Sequence, residues 1–166
     1  NQRWQFNNAE LVSAGGLAVG LLDWRVGLVP ATGAATQKWA LTPTGQLRHA
    51  NGMCLLAYGW EGDLSALGLG SCQDLPQSRW SLSPVGIRAE TSGKCLGTAN
   101  GAQTAGSALV LTECMGTDSQ RFSLRGELRG YADRCLDVYG WGTYDGTPTL
   151  MYTCYGSANQ QWVYTP

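Results

Sequence analysis

The sequence is poor in charge, in histidine and in long apolar runs. Only 14% of its 166 residues are Asp, Glu, Lys or Arg, and 11 basic side chains nearly cancel 12 acidic ones, leaving a formal net charge of −1. With a pI of about 5.7 there is no basic footprint for nucleic acid or for an anionic membrane surface, so recognition has to rest on shape and hydrogen bonds. No stretch approaches the roughly 18 consecutive apolar residues of a membrane span, and no charged leader with an apolar core opens the chain. A soluble, mature protein without membrane insertion is expected. The single histidine, His49, sits beside Ala50-Asn51-Gly52 in a turn and offers no credible Ser/His/Asp arrangement. A 3.6-residue apolar period sustained over three turns is also missing, which excludes amphipathic helices.

What the chain does have is glycine, tryptophan and cysteine: 23, 7 and 6 residues respectively, within a hydrophobic content of 43%. A chain of this length can bury most of its surface in one core. The cysteines, Cys54, Cys72, Cys95, Cys114, Cys135 and Cys154, include no Cys-x-x-Cys pair, and one histidine is little help as a ligand. No metal or other cofactor is expected. Disulfides are the better reading, and they imply an oxidising compartment, with the protein secreted or periplasmic.

The chain is repetitive. Gln2-Arg3-Trp4, Gln37-Lys38-Trp39, Gln120-Arg121-Phe122 and Gln160-Gln161-Trp162 are copies of one triplet, with Ser78-Arg79-Trp80 as the remaining variant. The aromatic recurs at intervals of 35, 41, 42 and 40 residues, which divides the chain into four units of about forty residues. Cysteines occur only in the last three units, spaced 18, 19 and 19 apart, and the second of each pair precedes the closing aromatic by 8 residues. Six cysteines permit about 15 pairings. A repeat with one pair per unit makes Cys54–Cys72, Cys95–Cys114 and Cys135–Cys154 the most economical, each worth about 3 kcal/mol in the chain-entropy model. In the first unit the corresponding positions fall near Gly16 and at Ala31, and both cysteines are absent together.

Short apolar runs such as Trp39-Ala40-Leu41, Gly86-Ile87-Arg88 and Ala108-Leu109-Val110-Leu111, bounded by Gly, Pro, Ser and Asn, predict an all-β fold with about four short strands per unit. By count alone, units of this size fit either a β-trefoil or the blades of a four-bladed propeller.

The order within each later unit decides between them. An aromatic, a short strand, a turn, Cys-Leu, a Gly-rich loop, a strand ending near Cys and the closing triplet together resemble the ricin B-type lectin repeat, over Trp39 to Pro166. The fullest copy runs from Arg134-Cys135-Leu136-Asp137-Val138 through Tyr152-Thr153-Cys154 to Asn159-Gln160-Gln161-Trp162. The resemblance implies a β-trefoil in which Trp39, Trp80, Phe122, Trp162, Leu55, Leu96 and Leu136 share a core. Three such units fill about 125 of the residues. The disulfide-bearing units number three, so the expected division is a trefoil over 39–166 (repeats 39–79, 80–121 and 122–166) with 1–38 as a degenerate N-terminal repeat packed outside it. The alternative is that four repeats close into a pseudo-fourfold barrel.

In ricin-type repeats the sugar pocket takes an Asp directly after Cys-Leu, an aromatic two residues before the second cysteine, and an Asn-Gln step. The fourth unit carries Asp137, Tyr152, Asn159 and Gln160 at these offsets. A carboxylate accepts strong bonds from vicinal hydroxyls, an aromatic face covers the C–H face of a sugar ring, and amides serve the remaining hydroxyls. Leu150 departs from the polar residue such sites can carry two positions before the aromatic. The third unit has Gly97, Thr112 and Ser119 at the Asp, aromatic and Asn positions, the second has Leu56, Gly70 and Gln77, and the first has Ala18, Val29 and Thr36. One pocket is therefore expected. Tyr58-Gly59-Trp60 and Tyr139-Gly140-Trp141 fall at identical offsets after Cys54 and Cys135, with Asp23-Trp24 in the same region of the first unit. Of these, Tyr139 and Trp141, together with Tyr144, stand where they could wall the Asp137 pocket.

These readings imply a non-catalytic lectin module for galactose-type or other glycans, including polysaccharide. A chain that opens by closing a repeat further suggests a piece of a larger secreted toxin, enzyme or adhesin, so that an associated catalytic or toxin domain is an expected partner. A glycosidase would need two carboxylates about 5 to 10 Å apart across a cleft, and the acids here are scattered among turns. The other class to weigh is a protein-docking or inhibitor-like trefoil that uses the Trp24, Trp60 and Trp141 loops as its contact surface.

Overall fold

A computed structural model describes residues 4–23, 25–58 and 67–165. Turn-forming residues cut the apolar runs into segments long enough for one pleated strand each and too short for a stable helix. Among the described residues there are accordingly fifteen strands, linked by turns and single-turn 3-10 helices, and no α-helix. The first unit supplies β1 (Gln5–Ser13), β2 (Ala18–Leu22), β3 (Arg25–Val29) and β4 (Lys38–Leu41). The second supplies β5 (Leu47–His49), β6 (Cys54–Ala57), β7 (Leu67–Gly70) and β8 (Trp80–Ser83). The third follows with β9 (Gly86–Ala89), β10 (Cys95–Thr98), β11 (Leu109–Thr112) and the start of β12 (Phe122–Arg129). The fourth takes the rest of β12 and adds β13 (Cys135–Val138), β14 (Thr149–Tyr152) and β15 (Gln161–Tyr164).

Every unit folds its second and third strands into the same hairpin. Cys54 pairs with Gly70, Cys95 with Thr112 and Cys135 with Tyr152, so the second cysteine, two residues past each partner, meets the first. All three disulfides form in the expected local pairing, with Cα–Cα distances of 5.0, 5.0 and 5.1 Å. In the first unit Ala18 pairs with Val29, so Ala18, rather than a residue near Gly16, stands where the first cysteine would be. That hairpin has five paired positions against four in the others, and it buries Val26 and Leu28. The cysteine-free hairpin thus has one more ladder pair than the stapled ones, with apolar burial like that of the third unit, where Leu109 and Val110 are buried.

The core repeats a three-residue signature. Leu11, Leu47 and Ile87 come from the first strand of a unit, Val19, Leu55 and Leu96 from the second, and Trp39, Trp80 and Phe122 from the closing triplet. All nine are buried in one cluster. Their fourth-unit counterparts Leu128, Leu136 and Trp162 are only half-buried. The first unit is joined to the third along β1 and β12, which run antiparallel from Gln5↔Arg129 to Ser13↔Phe122 around a bulge between Asn7 and Glu10.

The division expected from the cysteines, a trefoil over 39–166 with the first unit outside, is therefore reversed in the packing. The cysteine-free unit is inside the core and the fourth unit hangs on β12. The pseudo-fourfold alternative fails for the same reason. The disulfides staple the outer hairpins and do not report core membership, whereas β1 does, through buried Ala9 and Leu11. Where the earlier junctions fold back as the hairpins β4–β5 and β8–β9, β12 runs straight on. Its second half takes β15 (Gly126↔Trp162, Glu127↔Gln161) and β13 (Arg129↔Cys135) along one edge. The first unit is built in the same way around β1, with Ala9↔Trp39, Glu10↔Lys38 and Val12↔Ala18.

Candidate functional site

The β13–β14 hairpin sets Asp137 opposite Leu150 and holds the aspartate, only 8% exposed, in the lining of a cleft. Both oxygens are gripped from behind. Asn159 Nδ2 donates to Oδ1 at 2.9 Å, and Gln160 Nε2 donates to Oδ2 at 2.8 Å. Asn159 is itself oriented by a bond to the Val138 carbonyl and by the Ser157 hydroxyl donating to its Oδ1 at 2.7 Å. Each carboxylate oxygen therefore accepts one protein bond and keeps further acceptor capacity for a ligand.

The cleft encloses about 330 Å³, and aromatic rings dominate its walls. Tyr139 and Trp141 stand on the turn after β13, Tyr152 ends β14, and Tyr155 follows Cys154; all four are exposed. Trp141 adopts φ +59°, a left-handed conformation for which the third unit uses Gly101, at φ +70°. A bulky residue there costs about 1–2 kcal/mol, so the backbone at this turn displays an indole where glycine would be more stable.

Among the described residues no other unit repeats this chemistry. In the first unit Gly20, rather than Ala18, occupies the Asp137 position by hairpin register, and a Cβ there would lie 2.7 Å from Val29 Cγ2. In the third, a Cβ on Gly97 would meet Thr112 Oγ1 at 3.0 Å. The second unit keeps a smaller cleft of about 250 Å³ at the equivalent place, but Leu56 replaces the carboxylate and Gly70 the aromatic platform. Its Tyr58 lies back over β7, with ring carbon Cε2 3.2 Å from where a Cβ on Gly68 would sit. A cavity of similar size, about 340 Å³, lies elsewhere, beside the β1 bulge and the β4–β5 hairpin. Among its charged side chains Lys38 is paired with Glu10 at 3.3 Å, and its one aromatic other than His49, Trp39, is buried.

The profile of the ricin-type β-trefoil lectin domain matches residues 7–122 and again 83–166. The chain belongs to that family. The first match spans the three units whose residues form the core, and the second reaches through the fourth. A designed threefold-symmetric protein, ThreeFoil, superposes with a TM-score of 0.62 at 21% identity, over 71% of this chain and 98% of its own. A non-toxic homologue of type II ribosome-inactivating proteins from bitter gourd (Momordica charantia), solved with α-methyl-D-galactoside, gives 0.54 at 20% identity, over 98% and 64%. In sequence, residues of this ricin-type chain are 38% identical over 73 positions to the probable lipoprotein EnvE of Salmonella typhimurium, a match of 44% of this chain and 40% of that protein. The chain thus spans less than half the length of this relative.

The structure of this ricin-type lectin domain brings Asp137, Asn159, Tyr139, Trp141 and Tyr152 together at one cleft. Gln160, expected to face the sugar, is 0% exposed and lies behind the carboxylate. Its three hydrogen bonds go to Asp137, to the Thr153 carbonyl and from the Tyr155 N–H. Tyr144, expected at the wall, is not among the lining residues. It stands 71% exposed on the next turn, where its carbonyl accepts from Thr147 Oγ1. Trp24 and Trp60 lie outside the described residues. Tyr155 was not expected. Its sequence signal was a second aromatic beside Cys154, at a position where the other cysteine units have Met115 and Gln73. His49 closes a turn, its Nε2–H donating to the Thr36 carbonyl and its Nδ1 accepting from Asn51 N–H.

Proposed function

We propose that this chain is a non-catalytic carbohydrate-binding module whose sugar site is the fourth-unit cleft. The observation that carries the reading is the Asp137 carboxylate, held on both oxygens by Asn159 and Gln160 beneath exposed Tyr139, Trp141 and Tyr152. A pre-oriented acceptor needs no reorganisation when vicinal hydroxyls arrive, and charge-assisted O–H···O⁻ bonds are about twice as strong as neutral ones. The apolar C–H face of the ring then covers an aromatic face, which removes exposed apolar area from water. Leu150 beside the carboxylate adds apolar lining and no hydrogen bond. A galactose-type ring is the favoured ligand, in keeping with the galactoside bound by the bitter gourd homologue.

One shallow site of this kind binds near millimolar, about −4 kcal/mol. Useful avidity then comes from multiplicity or from attachment to a larger protein. Three disulfides fit an exported protein, and the similarity to a probable lipoprotein supports the same placement. We therefore assign the module a targeting role within an exported toxin, enzyme or adhesin. A glycan array on the whole chain, with Asp137→Ala and Tyr152→Ala as controls, tests the site: galactose-terminated glycans bind the parent and neither variant. Binding retained in both variants would falsify the fourth-unit site, and a blank array for the parent would favour protein docking instead.

A further inference from the structure

The cleft offers one carboxylate anchor but four exposed aromatic rings, more than a single pyranose can cover while its hydroxyls face Asp137. The surplus ring with the clearest geometry is Tyr155. It is 70% exposed, and its centroid lies 6.1 Å from that of Tyr152 with the planes at 52°, neither stacked nor edge-on. The two rings form an angled ledge on the cleft that Asp137 also lines, with a separation comparable to the step between neighbouring rings of a glycan. The ledge is also rigidly related to the anchor. Gln160 accepts the Tyr155 N–H at 2.8 Å and, through its own amide, holds Asp137 Oδ2 at 2.8 Å. A buried side chain thus fixes both the backbone carrying Tyr155 and the carboxylate. In the other units the same loop position is Thr32, Gln73 or Met115, so only the unit with the carboxylate has an aromatic there.

Building on the sugar-site reading above, we propose that the fourth-unit cleft recognises an oligosaccharide, with one ring hydrogen-bonded to Asp137 and the adjoining ring laid on Tyr155. Tyr155 then sets the preference for chains over single sugars, while Asp137 sets binding of the first ring. Aromatic contact with a second ring is worth about tenfold in affinity.

Calorimetric titration of the whole chain tests this with two series, galactose, lactose and N-acetyllactosamine, and xylose, xylobiose and xylotriose. In at least one series the disaccharide binds about tenfold more tightly than the monosaccharide. Tyr155→Ala abolishes that gain, weakening the disaccharide far more than the monosaccharide, and Tyr155→Phe keeps the gain. Equal Kd values for one and two rings in both series would overturn the proposal. So would a Tyr155→Ala variant that melts like the parent yet weakens both ligands by the same factor. If the parent binds none of the six sugars, the sugar-site reading fails and this proposal fails with it.

Discussion

Gln37, Gln120 and Gln160 reach back from their closing triplets to the loop that follows the third strand. Gln37 accepts from the Thr32 and Gly33 N–H groups and donates to the Pro30 carbonyl, and Gln120 accepts from Met115 and Gly116 and donates to the Glu113 carbonyl. In Gln160 the same framework bonds extend to a carboxylate, which turns a structural side chain into a positioning residue. Replacing either Gln120 or Gln160 with Ala leaves buried polar groups unpaired, a cost of about 1–3 kcal/mol in urea unfolding. Sugar affinity should fall only in Gln160→Ala, where Asp137 loses one of its two tethers. Trp141→Gly separates display from stability. It relieves about 1–2 kcal/mol of left-handed strain against about 0.5–1 kcal/mol of added chain entropy, so the melting temperature should hold while binding weakens. Leu150→Gln restores a polar group beside Asp137 and should tighten binding about fivefold, one ordinary hydrogen bond, by titration. At this scale the meeting of Asp137, Tyr152 and Asn159 at one candidate cleft was legible, because they sit at fixed offsets from the cysteines. Which side of the carboxylate Gln160 occupies was not legible, since depth depends on packing from a different strand. Tyr144 lies one turn beyond the cleft for a similar reason, as loop path is not set by spacing.

Among the elements, the hairpin closed by Cys135–Cys154 carries the candidate site and is held by the least core. Leu136 and Trp162 are half-buried, although Trp162 Nε1–H still donates to the Leu136 carbonyl at 3.0 Å, the bond that Trp80 makes to Leu55 at 2.9 Å inside the core. Replacing Cys135 and Cys154 with Ala removes a cross-link worth about 3 kcal/mol from a unit with little else to spare. Its expected signature is loss of binding, together with a fourth unit that unfolds at lower denaturant than the core, seen as two transitions by Trp fluorescence. The same change at Cys54 and Cys72 should instead lower a single main transition. Disulfide pairing was legible because one repeat wrote it three times. The straight course of β12 was not, because Ser123-Leu124-Arg125-Gly126 reads equally well as a strand running on or as the approach to a turn.

For the molecule as a whole, core membership and cysteine content are separate properties. Residues 4–130 contain every buried member of the apolar cluster, whereas removal of 1–37 strips out Ala9, Leu11, Val19, Val26 and Leu28. Truncation after Gly130 is therefore expected to leave cooperative thermal unfolding and lose sugar binding, and deletion of 1–37 to leave no cooperative transition by calorimetry. The fold family was legible from the phased triplets. The choice of which three units pack together was not, because it rests on β1 meeting β12 across more than a hundred residues of chain.

That meeting has a mechanical consequence. β12 carries β1 along one edge and β15 along the other, both antiparallel to it, with Gln5 beside Arg129 and Tyr164 beside Leu124. Tension applied between the two ends of the chain consequently slides both ladders lengthwise instead of peeling them open bond by bond. All bonds in a ladder must then yield together, so the fold resists tension along the line joining its ends better than it resists peeling from either sheet edge.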